Sequence, residues 1–195
     1  MPITRFEELD LSKSYTYADY LAWQFSEMVE LIKGKVVKMS PAPGSQHQMV
    51  SSNLHGIIWN QIKKSPCKLF AAPSDVRLIR KGFNDEQITT VVQPDLFMVC
   101  DASKIDEKGC LGSPDFIIEI LSPNSGNQDL KVKYALYEEA GVGEYWVVFP
   151  AERVIEIFLL ENGKYHLAGH YTEDGDIPIQ SVPGFSIKGL EVFEW

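Results

Sequence analysis

With 195 residues, 45% of them hydrophobic and 23% charged, the chain has the size and composition of an ordinary globular domain. Its 27 acidic and 18 basic side chains give a formal charge of −9, which argues against strong sequence-independent binding to nucleic acid. No apolar stretch approaches the roughly 20 residues of a membrane helix. The first residues, MPITRFEELDLSK, also lack the basic and apolar regions of a signal peptide, so we expect a soluble, cytoplasmic protein.

The cysteines of the chain are sparse and odd in number. Cys67, Cys100 and Cys110 show no C-x-x-C spacing, which indicates neither a disulfide framework nor a structural zinc site. We therefore expect buried or idle thiols at these positions.

The first half of the chain predicts two helices, a hairpin and several short strands. Apolar and aromatic residues at helical spacing predict a helix over Thr16–Phe25, and VELIKGKVVKM predicts a hairpin that turns at Lys33-Gly34. After the break SPAPGS, an apolar stripe predicts a helix over 46–64, entered after Ser45 and ended by Pro66. Three extended runs are then predicted to be strands of one sheet: KLFAA, DVRLIR and TTVVQPDLFMVC.

The second half of the chain alternates strands with one long helix. A helix is predicted from about Gln128 to Ala140, stopping at Gly141. The remaining segments predict a buried strand, a further strand, a hairpin turning at ENG and a final extended segment with a short helical turn: DFIIEIL, EYWVVFP, RVIEIFLL with KYHLAGHYT, and PGFSIKGLEVF. The sequence has no internal repeat and no linker, so we expect a single mixed α/β domain over residues 1–195.

One strand carries an acid in an apolar setting. In DFIIEILSP, strand alternation puts Glu119 on the face of Ile117 and Leu121, with Phe116, Ile118 and Ile120 on the opposite face. Both faces are apolar, and an ionised carboxylate buried there costs several kcal/mol unless it is paired, hydrogen-bonded or bound to a metal. Asp95 stands at the mouth of another apolar strand, in VVQPDLFMVC, so the two acids could converge.

The following helix offers a partner for these acids. Asp129, Lys133 and Tyr137 recur at i, i+4 and i+8 and share one helix face, with Lys131 roughly opposite. A helix that directly follows the Glu119 strand must fold back onto the sheet, so Lys133 can approach Glu119. Two carboxylates and a lysine suit a Mg²⁺ site for phosphodiester hydrolysis, whereas the same residues could form only a structural ion pair and a loop cap.

These residues also carry a resemblance to a known family. The strings QPDLFMVC, PDFIIEILSPNS and DLKVKYALYEEAGVGEYWVVFP, with VELIKGKVVKMSPAPGSQHQ near the start and VPGFSI near the end, resemble the Uma-two family of restriction endonuclease-like proteins. This family lies within the PD-(D/E)XK nuclease superfamily. The resemblance implies a restriction-endonuclease-like fold, a central mixed sheet flanked by helices, with the metal at the strand ends.

Carried over residue by residue, the resemblance makes Asp95 and Glu119 the metal-binding and catalytic acids. A second Pro-Asp pair, Pro114-Asp115, precedes Glu119, but the family pattern favours Pro94-Asp95. The superfamily lysine normally stands two residues after the acid, where this chain has Leu121. The family takes its lysine from the next helix, and Lys133 occupies that place.

Five further residues are candidates for the surroundings of the site. Asp129 and Tyr137 share the face of Lys133. Glu30 corresponds to an acid in the family's first hairpin and could be a further metal-site residue or a solvated strand residue. Asp75 could bind outer waters of the metal or cap a turn. His47, at a helix start, could touch a phosphate or a water, although a lone histidine is more often structural.

The residues and the resemblance together favour a hydrolase, a Mg²⁺-dependent DNA endonuclease in which Mn²⁺ could substitute for Mg²⁺. Basic stretches such as KKSPCK and RLIRK could contact the DNA backbone despite the negative net charge.

The alternative is a catalytically inert nuclease-fold module that binds nucleic acid or protein, favoured if Lys133 turns to solvent. A glycosidase-type carboxylate pair would assign no role to Lys133. A homodimer is expected because cutting both strands of a duplex calls for two sites.

Overall fold

The computed structural model describes residues 2–39, 43–79, 84–122 and 127–194, with only the backbone described for residues 127–129. Its helices agree with the sequence-based prediction to within a few residues. They are α1 (Tyr17–Ala22), α2 (Ser45–Ile62), α3 (Asn127–Ala140) and α4 (Gly189–Val192). No helix in the described ranges is long and apolar enough to cross a membrane.

Fourteen strands and two short 3-10 helices, Phe6–Glu8 and Ala102–Lys104, form the remainder of the regular structure within the described residues. In the first half they are β1 (Val29–Ile32), β2 (Lys35–Lys38), β3 (Lys68–Ala71), β4 (Val76–Arg77), β5 (Val91–Val92), β6 (Leu96–Val99), β7 (Ile105–Asp106) and β8 (Gly109–Leu111). In the second half they are β9 (Phe116–Ile120), β10 (Glu144–Phe149), β11 (Val154–Glu161), β12 (Lys164–Thr172), β13 (Asp176–Ile179) and β14 (Phe185–Lys188).

The strands form two large mixed sheets and a separate hairpin. The first sheet has the order β2-β1-β5-β4-β8-β7, and the second has the order β12-β11-β10-β9-β6-β3. In the second sheet β9 and β10 run parallel, while β9 and β6 run antiparallel. The expected mixed α/β class, with sheets flanked by a few helices, is confirmed.

The prediction that KLFAA, DVRLIR and TTVVQPDLFMVC lie in one sheet is wrong. The second sheet contains β3 and β6, whereas β4 and β5 pair with each other in the first sheet. The chain therefore leaves the second sheet after Ala71 and returns to it at Leu96. Strand periodicity reports which residues are buried, but it does not identify the neighbouring strand.

The second sheet is covered on both faces, as the apolar run of β9 predicts. Phe116, Ile118 and Ile120 belong to the core cluster shared with α2 and the β13–β14 hairpin. Ile117 belongs to a second core cluster, which contains Leu136 and Tyr137 of α3 and residues of the first sheet. Glu119 follows Ile117 by two residues, so it points to the α3 side of the sheet.

Two turns form where glycine permits a left-handed backbone. The β1–β2 hairpin turns at Lys33 and Gly34, with φ of 50° and +82°, as predicted. A Cβ added at Gly34 would lie 2.0 Å from the Ser14 Oγ, so a larger residue would displace the Ser14 side chain and would also strain the backbone at this positive φ. Helix α3 ends at Gly141, with φ of +85°, and the Gly141 N–H donates to the Tyr137 carbonyl over 3.1 Å.

The expectation of idle thiols is wrong for two of the three cysteines. Cys67 and Cys100 form a disulfide, whereas Cys110 is free and buried. The two bonded residues flank the paired positions Lys68 and Val99 of β3 and β6, so the sheet register places them side by side. A separation of 33 residues hides this pairing in the sequence.

Candidate active site

Asp95 and Glu119 face each other across an antiparallel strand pair. Leu96 pairs with Ile118, and one further step of the same register places Asp95 opposite Glu119. Cβ atoms of directly opposed residues lie about 4.5–5.5 Å apart. The Ile120 N–H donates to Asp95 Oδ2 over 2.7 Å, which fixes the Asp95 carboxylate to the strand that carries Glu119. The predicted convergence of the two acids is present in the structure.

Lys133 reaches the same point from α3. Its Nζ lies 3.0 Å from Glu119 Oε1 and 3.4 Å from Glu30 Oε1, and all three side chains are at most 10% exposed. Lys131 is exposed. Of the two lysines, Lys133 is therefore the one that joins the acidic cluster of Asp95, Glu119 and Glu30, as the helix face predicts.

Tyr137 completes the α3 face toward Glu119. Its hydroxyl donates to Glu119 Oε1 over 2.6 Å, and the tyrosine is fully buried. Lys133 and Tyr137 therefore contact the same carboxylate oxygen, Oε1. The Asp129 side chain, predicted to share this helix face, lies outside the described residues.

The environment raises the pKa of Glu119 from 4.5 to about 7. Burial, which disfavours the ionised form, is the main cause, and the charges of Asp95 and Glu30 act in the same direction. The Lys133 ammonium and the Tyr137 hydrogen bond oppose the rise. The lysine therefore compensates only part of the cost of burying three carboxylates together.

His47 lies beside Asp95, in the first turn of α2. Its Nε2 is 3.2 Å from Asp95 Oδ1, and the residue is 8% exposed. Burial alone would lower the pKa of His47, but the hydrogen bond and charge of Asp95, helped by the Ile120 backbone and the Glu119 charge, raise it overall. His47 Nδ1 is buried and has no hydrogen-bond partner.

Glu30 joins the site through the backbone of Gln93. The Gln93 N–H donates to Glu30 Oε1 over 2.9 Å, and Glu30 is 3% exposed. Its reading as a solvated strand residue is therefore wrong, because β1 lies inside the structure, paired with β2 on one side and β5 on the other.

Asp75 belongs to a hydrogen-bond network that adjoins the site. Tyr17 donates to Asp75 Oδ2 over 2.8 Å, and Gln93 Nε2 donates to Asp75 Oδ1 over 2.9 Å. Gln93 thus links Asp75 to Glu30, and the structure does not bring Asp75 into the Asp95–Glu119 pair itself. The sequence analysis missed Gln93 and Tyr17. The only local signal was that Gln93 directly precedes Pro94-Asp95.

The second Pro-Asp pair lies at the other end of the same two strands. Asp115 precedes β9, and its Oδ2 accepts from the Cys100 N–H at the end of β6 over 2.7 Å. Each of these aspartates therefore caps the neighbouring strand. Glu119 and Lys133 lie at the Asp95 end.

The basic stretches lie away from this acidic cluster or are paired with other side chains. Lys63 and Lys64 follow the last residue of α2, and the helix from His47 to Ile62 separates that end from His47 by roughly 23 Å. Arg77 is 2% exposed and binds the Asp106 carboxylate, so its expected contact with DNA is not available. Arg80 and Lys81 lie outside the described residues.

Asp95 and Glu119 are the side chains that could hold a divalent ion such as Mg²⁺ or Mn²⁺. Within the described residues, no group of three or more His, Cys, Asp or Glu side chains is placed to hold a metal ion. Structural zinc needs four such ligands, whereas Mg²⁺ keeps several waters and is commonly bound through one or two carboxylates and substrate phosphates. Asp95 and Glu119 supply that pair of hard oxygen ligands.

The two mixed sheets and the acidic cleft at the strand ends define a restriction-endonuclease-like protein. A family model agrees: residues 17–192 match the Uma2 family, described as "Putative restriction endonuclease". The chain belongs to this family, and the resemblance drawn from its motifs is confirmed.

A solved structure has the same fold. It is a crystal structure described as a putative nuclease belonging to DUF820 from Anabaena variabilis ATCC 29413. The two chains are 20% identical with a TM-score of 0.70, over 93% of this chain and 98% of the other. No curated protein matches this sequence significantly.

Proposed function

We propose that this protein is a divalent-metal-dependent DNA endonuclease that hydrolyses phosphodiester bonds. The observation that carries the proposal is the buried Lys133 ammonium, 3.0 Å from Glu119 and on the side of the sheet where Asp95 faces Glu119. Membership of a family of restriction endonuclease-like proteins supports the same reaction class. The fold by itself would not, because one fold hosts many functions.

In this proposal Asp95 and Glu119 would hold the Mg²⁺ or Mn²⁺. A bound divalent ion would polarise the scissile phosphate and lower the pKa of a bound water. The Asp95 carboxylate is already oriented by the Ile120 N–H and by His47, so little ordering is needed before it binds a ligand.

Lys133 would support the transition state directly. Its three N–H donors can orient the attacking water or stabilise the negative charge that develops on the phosphoryl oxygens. The carboxylates of Glu30 and Glu119 hold the Nζ at 3.4 and 3.0 Å. The catalytic lysine thus reaches the acids from a helix rather than from the strand position that Leu121 occupies.

Glu30, Tyr137 and Asp75 would act by positioning. Glu30 contacts Lys133, and Tyr137 contacts Glu119. Asp75 fixes the side chain of Gln93, whose backbone N–H holds Glu30. We place these residues around the site rather than on the reacting atoms.

The orientation of Lys133 disfavours the inert-module alternative. A lysine that points to solvent would have favoured a fold that no longer cuts. The Lys133 side chain is instead 10% exposed and lies between two acids. Burying an ammonium with carboxylates carries a desolvation cost, which a catalytic role explains and a binding surface does not require.

The proposed enzyme acts as a homodimer, because a single site cuts one strand of a duplex at a time. Sedimentation equilibrium of the purified protein, alone and with duplex DNA, measures this directly. A mass that stays that of one chain under both conditions would contradict the homodimer and leave single-strand nicking as the expected product.

Nicking of supercoiled plasmid tests the proposed activity. Purified protein with Mg²⁺ or Mn²⁺ should convert the plasmid to open circles, and chelator or Asp95→Ala should abolish the conversion. Lys133→Met should slow nicking by about 100- to 1,000-fold, the usual loss when one charge-stabilising donor is removed. Lys131→Met, on the exposed face of the same helix, is the matched control. Nicking that survives in Asp95→Ala would reject the site, and no nicking with either metal would reject the function.

A further inference from the structure

We propose that the N-terminal end of α2 is a phosphate-binding subsite beside Asp95. Its ligands for the anion would be the backbone N–H groups of Ser45 and Gln46 together with the His47 imidazole. The inference rests on the proposed function, since it identifies where a phosphate of the substrate would lie relative to the acids.

Among the described residues, none accepts a hydrogen bond from the first N–H groups of α2. The first N–H groups of any helix lack intrahelical partners, and here the N-cap residue, Gly44, supplies no side-chain acceptor. The first turn contains no acidic residue, and Gly44 and Ser45 are exposed. Over 18 residues the aligned peptide dipoles place about half a positive charge at this end. Such an end attracts phosphate groups.

His47 supplies an independent indication of a ligand. It lies in this first turn, is 8% exposed, and its Nδ1 has no hydrogen-bond partner. A buried polar atom has given up its hydrogen bonds to water, so proteins rarely leave one without a partner or a ligand. The other ring nitrogen, Nε2, lies 3.2 Å from Asp95 Oδ1, which ties the helix end to the acidic pair.

The negative charges of the acidic cluster explain why such a subsite is needed. Asp95, Glu119 and Glu30 bring three carboxylates together, and Lys133 is held between two of them. A phosphate that approaches these acids meets a repulsive field. The positive end of α2 offsets that field on the Asp95 side, where the lysines at the far end of the helix cannot reach.

The chemistry fits a tetrahedral oxyanion, whether a phosphodiester of the nucleic-acid backbone or free phosphate. Backbone N–H groups at a helix end read charge and shape but no base, so this subsite would position the substrate without selecting a sequence. The two sources of phosphate can be separated by experiment.

The test is a titration of ¹⁵N-labelled, metal-free protein with inorganic phosphate, followed by backbone amide chemical shifts. Chloride at matched ionic strength is the control for salt. We expect saturable shifts at the amides of Ser45, Gln46 and His47. Ser45→Asp should weaken phosphate binding at least about fivefold relative to Ser45→Asn, because the two side chains differ mainly by one negative charge. An aspartate in the first turn also stabilises a helix, so the variant should fold.

Absent shifts at these amides, or equal phosphate affinities for the two Ser45 variants, would overturn the subsite. A second arm adds a short DNA duplex in chelator. Shifts of the same amides, with displacement of phosphate, would support a backbone phosphodiester as the ligand, whereas a duplex that leaves them unmoved would overturn that assignment.

These outcomes are separable from those of the proposed function. Plasmid nicking without amide shifts would leave the nuclease and reject the subsite. Amide shifts without nicking would leave the anion site and reject the nuclease.

Discussion

Two buried glutamates on neighbouring strands of the second sheet have opposite surroundings. Glu119 on β9 is 7% exposed and contacts a lysine and a tyrosine, with Asp95 across the strand pair. Glu144 on β10 is 1% exposed, and its described partners are all uncharged donors. Since Glu144 pairs in register with Phe116, three residues before Glu119, the two glutamates are offset by about 10 Å along the strands and point to opposite faces of the sheet.

The contacts of Glu144 have the form of a structural clamp. Trp146 Nε1 donates to its Oε1 over 2.7 Å, and the Gln180 N–H donates to the same oxygen over 3.2 Å. The Ser181 N–H donates to Oε2 over 2.6 Å, and the Ser181 hydroxyl donates to it as well. These bonds attach the turn after β13 to the second sheet. These N–H and O–H donors satisfy both oxygens of the buried carboxylate without a cation.

The difference shows that burial of an acid does not by itself mark a functional site. Glu144 is the more deeply buried of the two, yet its oxygens are satisfied by the fold. Glu119 is left with partial compensation, in a group of like charges that a divalent ion would stabilise. The informative feature is the convergence of acids and a lysine from separate elements.

The largest expected effect is on catalysis. Glu119→Gln should reduce plasmid nicking by more than about 100-fold, because it removes a ligand of the proposed metal ion. Glu144→Gln, the matched change on the next strand, should keep the activity per folded molecule within about threefold of the wild type. Initial nicking rates, normalised to the folded fraction by circular dichroism, measure both. Equal losses in the two variants would erase the distinction between the two glutamates.

A smaller effect is expected on stability, and here Glu144 is the important residue. Glu144→Gln should lower the free energy of unfolding by about 2–3 kcal/mol, because the amide NH₂ would face donors that now point at a carboxylate oxygen. Urea denaturation measures the change. Glu152→Gln, at an exposed position, is the control and should stay within about 0.5 kcal/mol. A negligible loss for Glu144→Gln would mean that the turn after β13 does not depend on the clamp.

The smallest expected effect is the pH dependence that Glu119 contributes to the metal-free protein. Its folded-state pKa is raised to about 7 from 4.5, so between these values the folded chain holds a proton that the unfolded chain has lost. The free energy of unfolding should therefore fall as the pH rises through this window, by about 2 kcal/mol relative to Glu119→Gln. Denaturation of both proteins in chelator at pH 5 and pH 8 provides the measurement. Parallel pH profiles would show that burial does not perturb Glu119.

Much of the local structure could be predicted from the sequence. The hairpin at Lys33-Gly34 and the end of α3 at Gly141 follow from residues that tolerate a positive φ. The alternation in DFIIEIL gave the correct faces of β9 because the strand is buried on both sides. The division of strands between two sheets and the Cys67–Cys100 disulfide depend on which strands pair, and pairing leaves no local signal.

The candidate site divides in the same way. The sequence by itself determined that an acid lies in an apolar strand, that Lys133 and Tyr137 share a helix face, and that the motifs belong to one family. These are consequences of strand and helix periodicity and of residue order. Only the tertiary structure decided that His47 and Glu30 join Asp95 and Glu119. It also decided that Gln93 connects Glu30 to Asp75 and that Glu144 has a structural role. Those contacts join residues far apart in the chain, and the packing of helices and sheets alone fixes which of them meet.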